Sequence, residues 1–227
     1  MELCVALDLP SREENLQLAR ELARHDIWMK VGFRSYIRDG ETFLKELKSI
    51  NPGFKIFLDL KLYDIPNTMA DAAEEIAKMG VEMFNIHASA GKKAMQTVME
   101  RLERFEKRPL VLAVTALTSF DYHTFKEIYG ADIDEKAAWF ALQAYQAGCD
   151  GVVCSAYESA QIKRETGAEF LTLTPGIRPF GESSGDQKRV ADIQKAKEER
   201  VDIIVVGRPV YRADDPAGIV EKILENL

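Results

Sequence analysis

The 227-residue sequence predicts an α/β protein, a single-domain (β/α)8 barrel of the TIM barrel type. Three observations carry that prediction. Short β-rich runs alternate along the whole chain with charged segments of helical period. About eight such units occur, the number that closes a parallel barrel. The runs are also apolar on both faces, as strands wrapped by helices outside and packed side chains inside must be. An open doubly wound sheet is the competing architecture. Against it, LDLPSREEN follows the first run where that fold would place a G-x-G-x-x-G loop.

Strands are expected at Leu3–Leu9, Ile27–Val31, Lys55–Leu62, Met83–Ala88, Leu110–Leu117, Gly151–Ser155, Phe170–Pro175 and Ile203–Gly207. Between the first two, Glu13–Arg24 sets Leu16, Ala19, Leu22 and Ala23 on one helical face. No linker interrupts the series, so one domain is expected over 1–227, and 46% hydrophobic content can fill one core. The longest interval, after the fifth run, holds TSFDYHTFKEIYGAD, expected as an extra loop or short helix over one end. GIRPFGESSGDQ, after the seventh run, has no apolar period and is expected to be a mobile loop. Gly207, Arg208 and Pro209 are expected to start a short extra helix, with another opened by Asp214, Asp215 and Pro216.

A net charge of −7 leaves no footprint for nucleic acid or an anionic membrane surface. No apolar run approaches the ~20 residues of a membrane helix. MELCVALDLP has neither the basic nor the apolar region of a secretion signal. Cys4, Cys149 and Cys154 have no metal-ligand spacing, and are expected as small buried hydrophobes in a reducing, cytoplasmic compartment.

Catalytic groups in this architecture gather where strands end and helices begin. There the sequence puts Asp8, Lys30, Asp59, Lys61, His87, Thr118, Ser155, Arg178 and Arg208. Six of these nine are ordinarily charged, which suits a polar, anionic small molecule. The stretch FLDLKLYDIPNTM (Phe57–Met69) is the densest part of the pattern. Residues two apart on a strand share a face, so Asp59 and Lys61 are expected in the barrel mouth, with Leu58, Leu60 and Leu62 against the helices. Removing a charge from water costs several kcal/mol unless it is paired, and alternating signs lowers that cost. Asp64 stands at the entry of a helix that Pro66 starts. It is either an N-cap or a carboxylate presented at the edge of the subunit. Taken alone, Asp59 and Lys61 are as well explained by a barrel-end ion pair; with Lys30, Arg178 and Arg208 added, a site is the better explanation. His87 is expected to be packed and hydrogen-bonded rather than catalytic. His25 and His123 are given no chemical role, and Tyr122 and Phe125 are expected in a local aromatic cluster.

DLKLYDIP resembles the DxKxxD motif of the orotidine 5′-phosphate decarboxylase family. The resemblance runs along nearly the whole chain, through ALD, KVG, NIHA, VTALTS, GVVCS, TPGIR and VVGR in that order. It implies decarboxylation of orotidine 5′-phosphate to UMP, a step of pyrimidine biosynthesis, with no cofactor and no metal. By the same resemblance Lys61 is the acid that protonates C6, and Asp59 lies beside the substrate carboxylate between Lys30 and Lys61. Asp64, Ile65 and Thr68 cross a homodimer interface into the partner's site. Asp8 is a ribose ligand, with Lys30 also near the sugar. Arg178, Gln187, Gly207 and Arg208 resemble the phosphate-binding set. Thr118, or its neighbour Ser119, resembles the residue that contacts the base.

Two alternatives stand beside that expectation. Mg²⁺-dependent sister enzymes (sugar-phosphate decarboxylases and hexulose-phosphate synthases) resemble the chain at DxKxxD, but hold the metal partly through a glutamate at the second strand's end. Here that position is Lys30, whose charge repels a metal. A non-catalytic nucleotide-phosphate sensor would keep Arg178 and Arg208 but has no need of the Lys–Asp–Lys alternation.

Overall fold

The computed structural model describes residues 1–181 and 189–227. Its strands are β1 (Glu2–Ala6), β2 (Trp28–Gly32), β3 (Lys55–Leu62), β4 (Met83–His87), β5 (Leu110–Val114), β6 (Gly151–Val153), β7 (Leu171–Thr174) and β8 (Ile203–Val206). Each pairs in parallel with the next, and β8 returns to β1, so the sheet closes into the expected barrel. Around it lie α1 (Arg12–Glu21), α2 (Phe33–Ile50), α3 (Pro66–Lys78), α4 (Lys92–Leu102), α5 (Tyr122–Tyr129), α6 (Ile133–Gln146), α7 (Ala156–Thr166), α8 (Ile193–Glu198), α9 (Arg208–Tyr211) and α10 (Pro216–Glu225).

The two-residue period of each strand divides its side chains between two cores. Cys4, Ala6, Trp28, Phe57, Met83 and Leu112 point inward and fill the barrel. Leu3, Val5, Met29, Val31, Ile56 and Leu58 point outward and pack under the helices. Leu60 and Leu62 continue the outer row, as expected. Cys4, Cys149 and Cys154 are buried thiols. Burial pushes Cys149 up to about 12, so it stays protonated.

At the foot of the barrel a carboxylate stands just before β4, β6 and β8. Glu82 accepts the N–H of Ile56, Asp150 that of Val111 and Asp202 that of Thr172, each at 2.7 Å. A cation joins each one: Lys48, Arg108 or Lys163. These pairs satisfy strand N–H groups that the ladder leaves open. The opposite end of the barrel is thereby left to charges with other work.

Several strands stop before their apolar runs do. β1 ends at Ala6 rather than Leu9, and β5 at Val114 rather than Leu117. Leu7 still packs under the helices and donates its N–H to Lys30 O at 3.0 Å, while Ala116 and Leu117 line the barrel mouth, so their apolar character reflects burial beyond the regular ladder. The long interval after β5 holds the short helix α5. Phe125 is buried there in a ring cluster with Phe120 and Tyr129, whereas Tyr122 is exposed and lies outside that cluster. After β8, α9 is a four-residue helix, and Asp215 caps α10 by accepting the N–H of Gly218.

Candidate active site

The mouth of the barrel opens a cavity of about 480 Å³ whose lining includes Asp8, Lys30, Asp59 and Lys61. Thr118, Ser119, Arg178, Gly207 and Arg208 line it as well. Asp8, just beyond β1, and the charged residues of β2 and β3 form a continuous chain of opposite signs. Lys30 Nζ donates to Asp8 Oδ1 at 3.0 Å and stands 3.5 Å from Asp59 Oδ2; Lys61 Nζ donates to Asp59 Oδ1 at 2.6 Å. The Lys30 and Asp59 side chains are each only 12% exposed, so their charges depend on one another. Burial opposes ionisation of Asp59. Lys30 and Lys61, with hydrogen bonds from Lys61 and Asn85, outweigh it and hold the carboxyl below its ordinary value. Burial likewise opposes the Lys30 charge, but Asp59 and Asp8 raise it above the usual lysine value. Both groups are ionised at neutral pH.

Local backbone geometry explains how β3 presents these side chains. Leu58 and Leu62 pair with Phe84 and Ile86, so β3 carries two more residues between them than β4 does. The excess is a bulge, and within it Lys61 has a φ of +45°. A non-glycine residue in that region costs on the order of 1–3 kcal/mol and persists only where its surroundings hold it. Asn85 on β4 does the holding. Its Oδ1 accepts the Lys61 N–H and its Nδ2 donates to Asp59 Oδ1, both at 2.7 Å. Asp8 is fixed less directly. Ser35 Oγ donates to Leu7 O, and Asn15 bonds Leu9 N, Leu9 O and Ser11 O, which pins the loop that carries Asp8.

Asn85, Asn15 and Ser35 were not singled out from the sequence. Asn85 did have a signal, as a wholly buried amide inside an apolar strand. Tyr211 and Arg212 also line the cavity. Nothing in their spacing marks them.

Arg178 is 6% exposed; its Nη1 donates to Ile177 O at 3.0 Å and its N–H to Ala191 O at 2.8 Å. Thr118 is buried and Ser119 exposed, and both face the cavity. Gln187 and much of the GIRPFGESSGDQ loop fall on 182–188, outside the described residues. Ser155 is buried, and its N–H bonds Glu158. His87 lies beside the quartet rather than in the cavity, with Ser89 Oγ 2.6 Å from its Nδ1. Burial, with the Lys61 ammonium nearby, lowers His87 to about 4, so it is neutral at physiological pH.

Asp64, Ile65 and Thr68 do not reach this cavity. The N-cap alternative for Asp64 is incorrect. Ile65 holds the N-cap position of α3, and Asp64 Oδ1 instead accepts the Ile65 N–H at 2.6 Å. Pro66 at the first helical position has no N–H to be capped. All three side chains are exposed, among large apolar neighbours. Tyr63 is 64% and Ile65 67% exposed; on α2, Phe33 is 52% and Ile37 78% exposed. Phe33 lies 5.8 Å from the Lys61 ammonium, so this apolar patch borders the mouth.

Among the described residues no three His, Cys, Asp or Glu side chains form a metal-binding group. No described helix is long and apolar enough to cross a membrane.

The family model described as Orotidine 5'-phosphate decarboxylase / HUMPS family matches residues 1–223. A protein of a Nitratiruptor species named orotidine 5'-phosphate decarboxylase is 70% identical, with 100% of both chains covered. One of the same name from Sulfurimonas denitrificans is 66% identical, again over 100% of both. The crystal structure of orotidine 5'-phosphate decarboxylase from Lactobacillus acidophilus superposes with a TM-score of 0.86 at 34% identity, covering 99% of this chain and 98% of that one. With its barrel, its DLKLYDIP bulge and this match from end to end, the chain belongs to the orotidine 5'-phosphate decarboxylase / HUMPS family.

Proposed function

We propose that this protein is a carboxy-lyase that converts orotidine 5′-phosphate to UMP without a cofactor. The observation that carries the reading is the Asp8–Lys30–Asp59–Lys61 chain, which ends in an ammonium inside the same cavity as Arg178 and Arg208. The C6–carboxylate bond breaks, carbon dioxide leaves, and the electron pair stays on C6. The Lys61 ammonium stabilises that charge, then gives C6 its proton. Lys61 recovers a proton from solvent. Arg208 and Arg178 hold the phosphate, with Gln187 and Gly207 completing that set, and Asp8 and Lys30 hold the ribose. Binding energy from the phosphate, remote from C6, stabilises the reactive arrangement.

Asp59 keeps Lys61 in place and stands beside the substrate carboxylate. Two unit charges 4 Å apart at an effective dielectric of 20 repel by about 4 kcal/mol. The largest enzymatic accelerations represent ~20 kcal/mol, so repulsion is a minor contributor and stabilisation of the carbanion at C6 the major one. The quartet carries as many positive as negative groups. The quartet therefore presents the Lys61 ammonium without a surplus of cations that would bind the substrate carboxylate as tightly as the transition state.

The active form in this reading is a cytoplasmic homodimer of single-domain subunits. The exposed Tyr63, Ile65, Phe33 and Ile37 beside the mouth support it, since a second copy would cover them and deliver Asp64, Ile65 and Thr68 to the neighbouring site.

The test is the ultraviolet absorbance change of orotidine 5′-phosphate with purified protein in EDTA. Turnover is expected. No turnover with tight UMP binding would point to a sensor, and activity restored only by Mg²⁺ to the metal-dependent branch of the family.

A further inference from the structure

Arg189 lies behind the cavity wall, outside the set that the proposed mechanism uses. Its side chain is 10% exposed, and Glu158 at the start of α7 is 5% exposed. Arg189 Nη1 pairs with Glu158 Oε1, while Glu158 Oε2 accepts the Ser155 N–H at 3.0 Å. The other arm of the guanidinium, Nη2, donates to Ala116 O at 3.2 Å and Leu117 O at 3.4 Å. Its own N–H donates to Thr118 O at 3.3 Å. One residue thus holds three consecutive carbonyls, and all three of their residues line the cavity. The following residues extend the junction: Tyr157 Oη donates to Val190 O, and Ala191 O accepts from Arg178 N–H.

We propose that Arg189 and Glu158 are a buried positioning pair that sets the backbone beyond β5, so that the Thr118–Ser119 wall meets the base of the bound nucleotide. The proposal rests on the cavity being a nucleotide site. Two physical points carry it. A buried ion pair adds little net stability over apolar residues of similar size, so stability alone does not account for it. A guanidinium is also the one side chain whose planar fork can serve a carboxylate and two carbonyls together. Lysine at this position would keep the charge and lose the fork.

The test is the double substitution Glu158→Met with Arg189→Met, which removes both charges together, alongside Arg189→Lys, which retains the pairing charge. Thermal unfolding identifies which of them is folded. In a folded variant, affinity for UMP is expected to fall at least tenfold, with affinity for ribose 5-phosphate, which lacks the base, unchanged. KM for orotidine 5′-phosphate should rise more than kcat falls, and amide exchange at 116–119 should speed up. Equal losses for both ligands would make the pair merely structural and overturn the proposal, as would unchanged affinities with unchanged exchange. If the unsubstituted protein neither binds UMP nor turns over orotidine 5′-phosphate, the functional reading has failed instead. Exchange at 116–119 then still decides whether Arg189 sets that wall.

Discussion

The Asn85 side chain and the Lys61 backbone are joined at 2.7 Å, where the β3–β4 ladder has none of its own bonds to offer. The same amide donates to Asp59, so one neutral residue orients both members of the ion pair in the mouth. Asn85→Ala is expected to leave the Lys61 N–H without a partner, costing about 1–3 kcal/mol of stability. It should also release the bulge, and a misplacement of about 1 Å lowers kcat on the order of 10²-fold. UMP affinity should change far less, since Arg178 and Arg208 are untouched. Steady-state kinetics with UMP calorimetry on the folded variant checks this, and a normal kcat would remove Asn85 from the account.

His87 makes a prediction about pH. Its folded value of about 4 lies below the ordinary 6.5, so the unfolded chain binds the proton more readily. Stability then rises with pH across this window. The contribution is complete above about pH 6.5 and is lost as pH falls through the folded value near 4. Urea unfolding of the wild type should therefore weaken from pH 6.5 to 4 more than that of His87→Gln, with carboxylate titration common to both. An NMR titration placing the His87 midpoint at 6.5 or above would contradict the burial argument.

The barrel was legible because period-two strands and apolar helical stripes repeat along the whole chain, and each repeat supports the next. The charged chain was legible for a different reason. Asp59 and Lys61 interrupt an apolar run, and only a paired or functional charge survives there. The bulge was not legible, since Lys61 is an ordinary residue by composition and its positive φ is imposed by Asn85 on another strand. Arg189 carries no such signal, since it follows a loop without apolar period. Only the fold turns its guanidinium inward onto Glu158.

Gly32 tests how tightly the quartet is packed. Its backbone, at φ −94° and ψ −174°, is open to any residue, so a change there acts through space alone. A Cβ at this position would lie 3.2 Å from Lys30 Nζ and 3.5 Å from Asp8 Oδ1. Lys30 cannot retreat without lengthening its contact to Asp8 or Asp59. Gly32→Ala is thus expected to keep the melting temperature within a few degrees and to lower kcat/KM roughly tenfold, or about 1.4 kcal/mol. Wild-type kcat/KM would mean that Lys30 has slack and that the quartet is looser than its distances imply.

The final prediction concerns the exposed end of DLKLYDIPNTM. Asp64 cannot serve the cavity of its own chain, because its side chain is turned to solvent and to the Ile65 N–H. If it serves a neighbour, each active site needs Lys61 from one subunit and Asp64 from the other. Lys61→Ala alone should remove nearly all turnover while UMP still binds, and Asp64→Ala alone should lower it strongly. Mixing the two variants should restore activity. In the heterodimer one site receives both defects and the other receives none, so random exchange gives half heterodimers and about a quarter of wild-type turnover. The measurement is activity after mixing, with subunit exchange followed by native mass spectrometry. Exchange without recovered activity would mean that each site is built within one chain, and that the apolar rim of Phe33, Tyr63 and Ile65 needs another explanation.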